Sequence, residues 1–235
     1  MKKIILIFLL LVSFLQAQNV YATFNVVAQK SANLAFTASG IVKNVDVDIG
    51  SVVKKDQLLA SLENADIKAM LQKTKIVLKF ATRALKREEK IKNLIDASKY
   101  DKVVSNYENA KASVAYQQAL YEKTILKAPF EGVIYDKTIE VGDAVSGMML
   151  KTVFKIQSLH DRKLILEFDQ KYHGKVKAGQ TFEYRIDGDT KKYKGIITKV
   201  YPYANFNNRK IKAEVKAKDF TVGLFGDGMI HVDGQ

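Results

Sequence analysis

Three side chains in the stretch REEKIKNLIDAS stand at helix-repeat spacing: Arg87, Leu94 seven residues on, and Ser98 four residues later. A long cation, an apolar knob and a short hydroxyl form a set that meets another protein surface rather than one that moves protons. Seven residues is two helical turns, which would put Arg87 and Leu94 on one face. The same letters also permit an ordinary turn between helices. In that reading Leu94 closes the end of an apolar seam. Ser98 is then an N-cap with Asp101 at N3, a capping box with Asp in place of the usual Glu.

Other chemistry is sparse. The chain has no Cys, which excludes disulfides, thiolate metal sites and a cysteine nucleophile. His160, His173 and His231 are scattered with no i,i+4 pair, so no metal site is expected. No Ser-His-acid spacing, nucleophile elbow or phosphate loop occurs, so the chain does not read as an enzyme. Asp187-Gly188-Asp189 reads as a turn rather than a calcium loop. Asn205–Asn208 with Arg209 reads as a solvated loop, and Met148-Met149 as filler of a loop or core gap.

The 235 residues carry a formal charge of +13, a balance that can serve nucleic acid or acidic surfaces. Lys2 and Lys3 precede the apolar run IILIFLLLVSFLQAQ, the pattern of a secretory signal peptide over residues 1–17. Cleavage fits after Ala17 or after Ala22; the alternative is an uncleaved inner-membrane anchor. An exported protein rarely meets nucleic acid, so no nucleic-acid partner is expected.

Two elements must position the tip residues. A short motif occurs twice: GIVKNVDVDI before Gly50, and GVIYDKTIEV before Gly142. Gly40 aligns with Gly132, Gly50 with Gly142 and Val53 with Val145. Alternation at period two signals half-buried strands, and Gly50 and Gly142 sit where hairpin turns need positive φ. The two copies are expected to pair by a pseudo-twofold into one small β-sandwich. Between them, Ala65 to Leu126 contains no Pro and no Gly. Ile67, Leu71, Thr74, Leu78, Ala81 and Leu85 follow heptad spacing, as do Tyr100, Val103, Tyr107, Ala110, Val114, Gln117 and Tyr121. This predicts an antiparallel coiled-coil hairpin of two helices, each about 40 Å long, with Lys and Arg on a solvated outer face. Pro129 is expected to end the second helix. The last third reads as short strands with turns at Gly179, Gly188 and Gly223–Gly228.

The flanking motifs SGIVKNVDVDIGSVVKKDQLLASLE and LKAPFEGVIYDKTIEVGDAV resemble the two halves of the lipoyl-like domain of periplasmic adaptors. These are the HlyD-like membrane fusion proteins of bacterial tripartite efflux pumps. The resemblance implies a mostly β, elongated fold: a lipoyl-like barrel-sandwich hybrid with an inserted α-helical coiled-coil hairpin, plus a β-barrel. It places an N-terminal strand segment joining the barrel at 18–35, the lipoyl-like domain at 36–64 and 127–158, the hairpin at 65–126 and the barrel at 159–235. Gly40, Gly50, Gly132 and Gly142 would be the glycines of the lipoyl-like hairpins. The family's membrane-proximal domain has no counterpart before Gln235, so it is expected to be missing.

In the family the hairpin tip carries Arg, six residues, Leu, three residues and Ser, and touches an outer-membrane channel. Arg87, Leu94 and Ser98 fall on this pattern without gap or substitution. The resemblance further implies a periplasmic location at the inner membrane and an inner-membrane transporter as partner, expected to be the proton-driven resistance-nodulation-division type. It also implies an outer-membrane channel and a homohexameric ring. Asp136-Lys137 resembles the Asp-Lys of a lipoyl carrier, but Lys137 lies inside the second copy rather than at the junction, so no cofactor is expected. Two alternatives stay open: an adaptor for type I secretion with an ABC transporter, and a coiled-coil envelope protein without a transport role.

Overall fold

The computed structural model of the chain describes residues 18–232; the expected signal peptide at 1–17 lies outside the described residues. The chain packs as two compact units. Of the described residues, one takes 18–31 and 158–232; the other is Ala32–Gln157.

The first unit is a closed six-stranded barrel. Its strands are β1 (Gln18–Ala28), β10 (Asp161–Asp169), β11 (Thr181–Ile186), β12 (Tyr193–Ala204), β13 (Lys210–Lys218) and β14 (Phe225–Val232). They close in the order β1-β10-β13-β12-β11-β14, which leaves no open edge. The sequence alternation sets the faces. In β10, Arg162, Leu164, Leu166 and Phe168 are buried while the residues between them are not. The core is aromatic at its centre: Phe24 meets Phe182 and Tyr184 edge-on, with ring centroids 5.8 and 5.2 Å apart. Two glycines of β14 make room for those rings. A Cβ at Gly226 would lie 2.2 Å from the Arg185 carbonyl oxygen and 2.5 Å from the Phe24 ring; one at Gly228 would lie 2.3 Å from the Glu183 carbonyl oxygen.

The second unit holds the repeated motif and the hairpin. Its small strands are β2 (Ser31–Leu34), β3 (Gly40–Val45), β4 (Val52–Val53), β5 (Leu58–Leu62), β6 (Ile125–Lys127), β7 (Gly132–Lys137), β8 (Ala144–Val145) and β9 (Phe154–Gln157). They form two sheets, β2-β9-β7-β4 and β6-β5-β3-β8. The pseudo-twofold pairing read from the repeat is present bond for bond. Val53 pairs with Gly132, and Val145 pairs with Gly40. Gly50 N–H donates to the Ile134 carbonyl, and its equivalent Gly142 N–H donates to the Val42 carbonyl, at 2.8 and 2.9 Å. Gly50 and Gly142 have φ of +88° and +95°, the left-handed region that glycine enters without a Cβ penalty. Gly40 and Gly132 do not sit in turns: they head β3 and β7. Gly132 is required by proximity, since a Cβ there would lie 2.2 Å from the Gln157 carbonyl oxygen. Phe36, Leu59, Leu62, Ile134, Phe154 and Ile156 fill the space between the sheets.

Two boundaries differ from the sequence reading. Residues 18–35, expected to join the barrel together, divide: Gln18–Ala28 is a barrel strand, while Ser31–Leu34 adds to the sandwich sheet. The alternating pattern runs through both strands, so it carried no mark of the change of sheet. Pro129 does not end the second helix, because helix and proline are separated by Thr124 and β6.

The hairpin is α1 (Ala65–Glu89) and α2 (Ala97–Lys123). Every seam position read from the heptads is buried or half-buried, with Leu71 and Ala110 the most enclosed. At the base, Asn64 Nδ2–H donates to the Thr124 hydroxyl at 3.0 Å, and Leu62 N–H to the Thr124 carbonyl at 2.9 Å. Buried Thr124 thus joins the start of one helix to the end of the other. Among the described residues no helix is long and apolar enough to cross a membrane.

Candidate partner-contact site at the hairpin tip

The tip is built from the end of α1, a single 3-10 turn at Lys92–Leu94 and the start of α2. Lys86 and Arg87 occupy the last turn of α1, where cations complement the helix dipole. The helix then tightens. Lys90 N–H donates to the Arg87 carbonyl, Ile91 N–H to Glu88 and Leu94 N–H to Ile91, at 3.3, 3.1 and 2.8 Å. Ile95 is extended, and α2 starts after it.

Arg87 and Leu94 therefore do not share one helix face. The helix ends at Glu89, so the seven-residue repeat does not run through to Leu94. The N-cap is also not Ser98. Asp96 caps α2, its Oδ1 accepting from Ser98 N–H at 2.8 Å and Lys99 N–H at 3.4 Å. Ser98, read as the N-cap from the sequence, lies inside the first turn instead, and Asp96 two positions earlier is an equally good capping residue. Lys92 Nζ lies 4.9 Å from the Tyr100 ring centroid and ties the turn to α2.

This arrangement frees the three residues that the sequence singled out. Leu94 is 84% exposed, the most solvated leucine of the hairpin. Arg87 and Ser98 are exposed. Among the described residues neither the Arg87 guanidinium nor the Ser98 hydroxyl has a hydrogen-bond or ion-pair partner. Next to Arg87, Glu88 Oε2 is buried without a hydrogen-bond partner, and a buried unmet acceptor costs about 1–3 kcal/mol. Residues 86–95 carry Lys86, Arg87, Lys90 and Lys92 against Glu88 and Glu89. The tip presents an exposed apolar residue in a basic field, with a free hydroxyl on the far side of the turn.

Two further features were not read from the sequence. On α1, Met70, Val77 and Phe80 are exposed, Phe80 at 60%. They recur at seven and three residues on one flank of the seam: Met70 and Val77 lie roughly a fifth of a turn from it, and Phe80 roughly two fifths, toward the outer face. The outer face of α1 is therefore not simply a solvated basic face. In the sandwich, Lys137 Nζ bridges Glu140 at 2.8 Å and Asp48 at 3.4 Å. Those acids are equivalent positions of the two copies. The Glu140 carboxylate holds the Lys137 ammonium above its ordinary pKa, with Asp48 adding to it against the cost of burial. The Ile49 N–H and Lys137 hold Asp48 below the usual carboxylate range. Lys137 is thus a charged clamp across the pseudo-twofold and not a free amine on a turn. Among the described residues no group of three or more acidic, His or Cys side chains is placed to hold a metal.

Residues 30–157 match the sequence profile of the CzcB-like, barrel-sandwich hybrid domain. No curated protein matches the sequence. Among solved structures the chain is similar to a chimeric MacA–MexA protein containing the MexA α-hairpin domain from Pseudomonas aeruginosa. The TM-score is 0.83 and the identity 22%, covering 93% of this chain and 84% of that one. It is similar to MacA from Actinobacillus actinomycetemcomitans, with TM-score 0.75, identity 20%, and 92% and 79% covered. It is also similar to the membrane fusion protein Spr0693 from Streptococcus pneumoniae, with TM-score 0.71, identity 15%, and 92% and 99% covered. The fold is that of these proteins.

Proposed function

The chain belongs to the CzcB-like barrel-sandwich hybrid family, and on that premise we propose that it is the periplasmic adaptor of a tripartite efflux system. It joins an inner-membrane transporter, of the proton-driven resistance-nodulation-division type, to an outer-membrane channel. Its role is to form the wall of a sealed export conduit, which requires no catalysis.

The observation that carries this reading is the tip. Leu94 is 84% exposed at the end of a hairpin whose seam positions are buried or half-buried, and the Arg87 guanidinium and Ser98 hydroxyl on the two flanks of the turn have no partner among the described residues. A leucine held in water gains about 1.5–3 kcal/mol when a partner covers it, and the basic field favours a partner tip that offers carboxylates and carbonyls. Several copies in a ring multiply a weak contact. The apolar row Met70, Val77, Phe80 on α1 supports self-association, because it offers neighbouring hairpins a side surface to pack on.

The test is capture after cross-linking in intact cells. An affinity-tagged chain is expected to carry both an integral inner-membrane transporter and an outer-membrane channel. Arg87→Asp is expected to lose the channel and keep the transporter. Recovery of neither protein would overturn the adaptor reading; recovery of the channel by Arg87→Asp at wild-type yield would overturn the tip assignment.

A further inference from the structure

A cleft of about 660 Å³ opens at one end of the barrel, lined by Gln29 after β1, by residues of β10 to β13 and by the segment after β13. Its volume is that of a small-molecule site. The floor is aromatic. Tyr184 stacks on Tyr193, with centroids 5.6 Å apart and planes at 22°, and Phe220 meets Tyr193 edge-on at 5.1 Å.

The polar groups around this floor are mostly donors with capacity to spare. Tyr184 is only 5% exposed, its ring is enclosed by the floor, and among the described residues its hydroxyl has no hydrogen-bond partner, so it is left to face the cleft. Burial pushes its pKa up, so it stays a donor. Arg162 is 7% exposed and has no carboxylate partner among the described residues. It donates to four carbonyls: Phe220 from Nε at 2.8 Å, Leu159 from Nη2 at 2.9 Å, Asp161 from Nη1 at 3.1 Å, and Ser158 from Nη1. A guanidinium has five N–H groups, so one on Nη2 is unspent, and the full positive charge is met by dipoles alone. Lys216 and Lys218 on the rim have no ion-pair partner among the described residues. Lys194 is shared with Glu183 at 3.6 Å. The opposing carboxylates are Asp219, held by His160 at 2.8 Å, and Asp161, which faces Lys218 across the ladder without an ion pair within 4.0 Å.

A donor-rich, cationic rim over an aromatic floor is matched by an acceptor-rich anion with a flat apolar body. We propose that this barrel-end cleft binds an amphipathic organic anion, an aromatic carboxylate or sulfonate. Its ring lies on Tyr193 and Phe220, and its acidic group accepts from Tyr184, Lys216 and Lys218 beside the Arg162 charge. The site belongs to the barrel and does not depend on the tip contact.

The probe pair is 8-anilinonaphthalene-1-sulfonate and N-phenyl-1-naphthylamine, which share the ring body and differ by the sulfonate. Calorimetric titration of the folded full chain is expected to give micromolar binding of the sulfonate and at least tenfold weaker binding of the neutral amine. Tyr184→Phe removes a hydroxyl that has no partner among the described residues. It is expected to weaken the sulfonate about tenfold, the order of a hydrogen bond to a charged group, while leaving the thermal midpoint unchanged or raised. Lys216→Glu with Lys218→Glu is expected to weaken it by a similar factor through surface charge alone. Equal affinity for the two probes would overturn the proposal. So would sulfonate binding that neither set of substitutions changes, or a midpoint that falls with Tyr184→Phe, which would assign the hydroxyl to the fold.

Discussion

At the scale of single residues, the tip separates two roles that lie two positions apart. Asp96 holds the start of α2 through the Ser98 and Lys99 amides, whereas the Ser98 side chain holds nothing among the described residues. Asp96→Ala is expected to cost about 1 kcal/mol of stability, read as a lower denaturant midpoint, and Ser98→Ala nothing measurable. Equal losses would return the capping role to Ser98. Lys137 offers a second test at this scale. Asp48 is held below its ordinary pKa by the Ile49 amide and Lys137, so its contribution is present above the unfolded carboxylate pKa of about 3.9 and is lost as pH falls through the lower folded value. Lys137→Met is expected to lower the thermal midpoint at neutral pH, with the deficit narrowing as Asp48 takes up a proton in the acid range. A deficit that persists unchanged there would show that the lysine acts by packing.

At the scale of elements, the sequence was most informative where one period governs a whole segment. The heptads picked out enclosed seam positions along both α1 and α2, and the repeated motif revealed the pseudo-twofold before any strand was placed. Legibility failed where the period stops. The helix ends at Glu89 by local tightening, and no Gly or Pro marks it, so Arg87 and Leu94 looked like neighbours on one face. The outer row on α1 was obscured by the basic residues interleaved with it, Lys68, Lys75 and Lys79; only the spacing of Met70, Val77 and Phe80 among themselves brings it out. The barrel strands were readable, but their closure order was not, since β1 and β14 meet from opposite ends of the chain. The glycines of β14 likewise gain meaning only from the rings they face. Gly226→Val would drive a side chain into Phe24 and the Arg185 carbonyl and is expected to cost about 3 kcal/mol, seen as a lower midpoint in urea. A loss under about 0.5 kcal/mol, the range of neutral surface substitutions, would contradict the packing described for that strand.

At the scale of the whole molecule, the proposed adaptor works by what it touches. The cleft at the barrel end was invisible in the sequence because its lining comes from positions as far apart as Gln29 and Phe220. If α1 packs against neighbouring copies, Val77→Glu with Phe80→Glu is expected to shift the mass distribution toward the monomer in mass photometry while the helix content stays constant. An unchanged distribution would remove that row from the assembly. The sharpest test of docking by the tip uses the absence of cysteine, which makes any introduced thiol unique. Ser98→Cys at the tip and Ser113→Cys partway along α2 would each be treated with a thiol-to-amine cross-linker in intact cells, and their adducts identified by mass spectrometry. An adaptor that docks by its tip gives an adduct with an outer-membrane channel from position 98 and none from position 113. No channel adduct from position 98, or equal adducts from both, would contradict it.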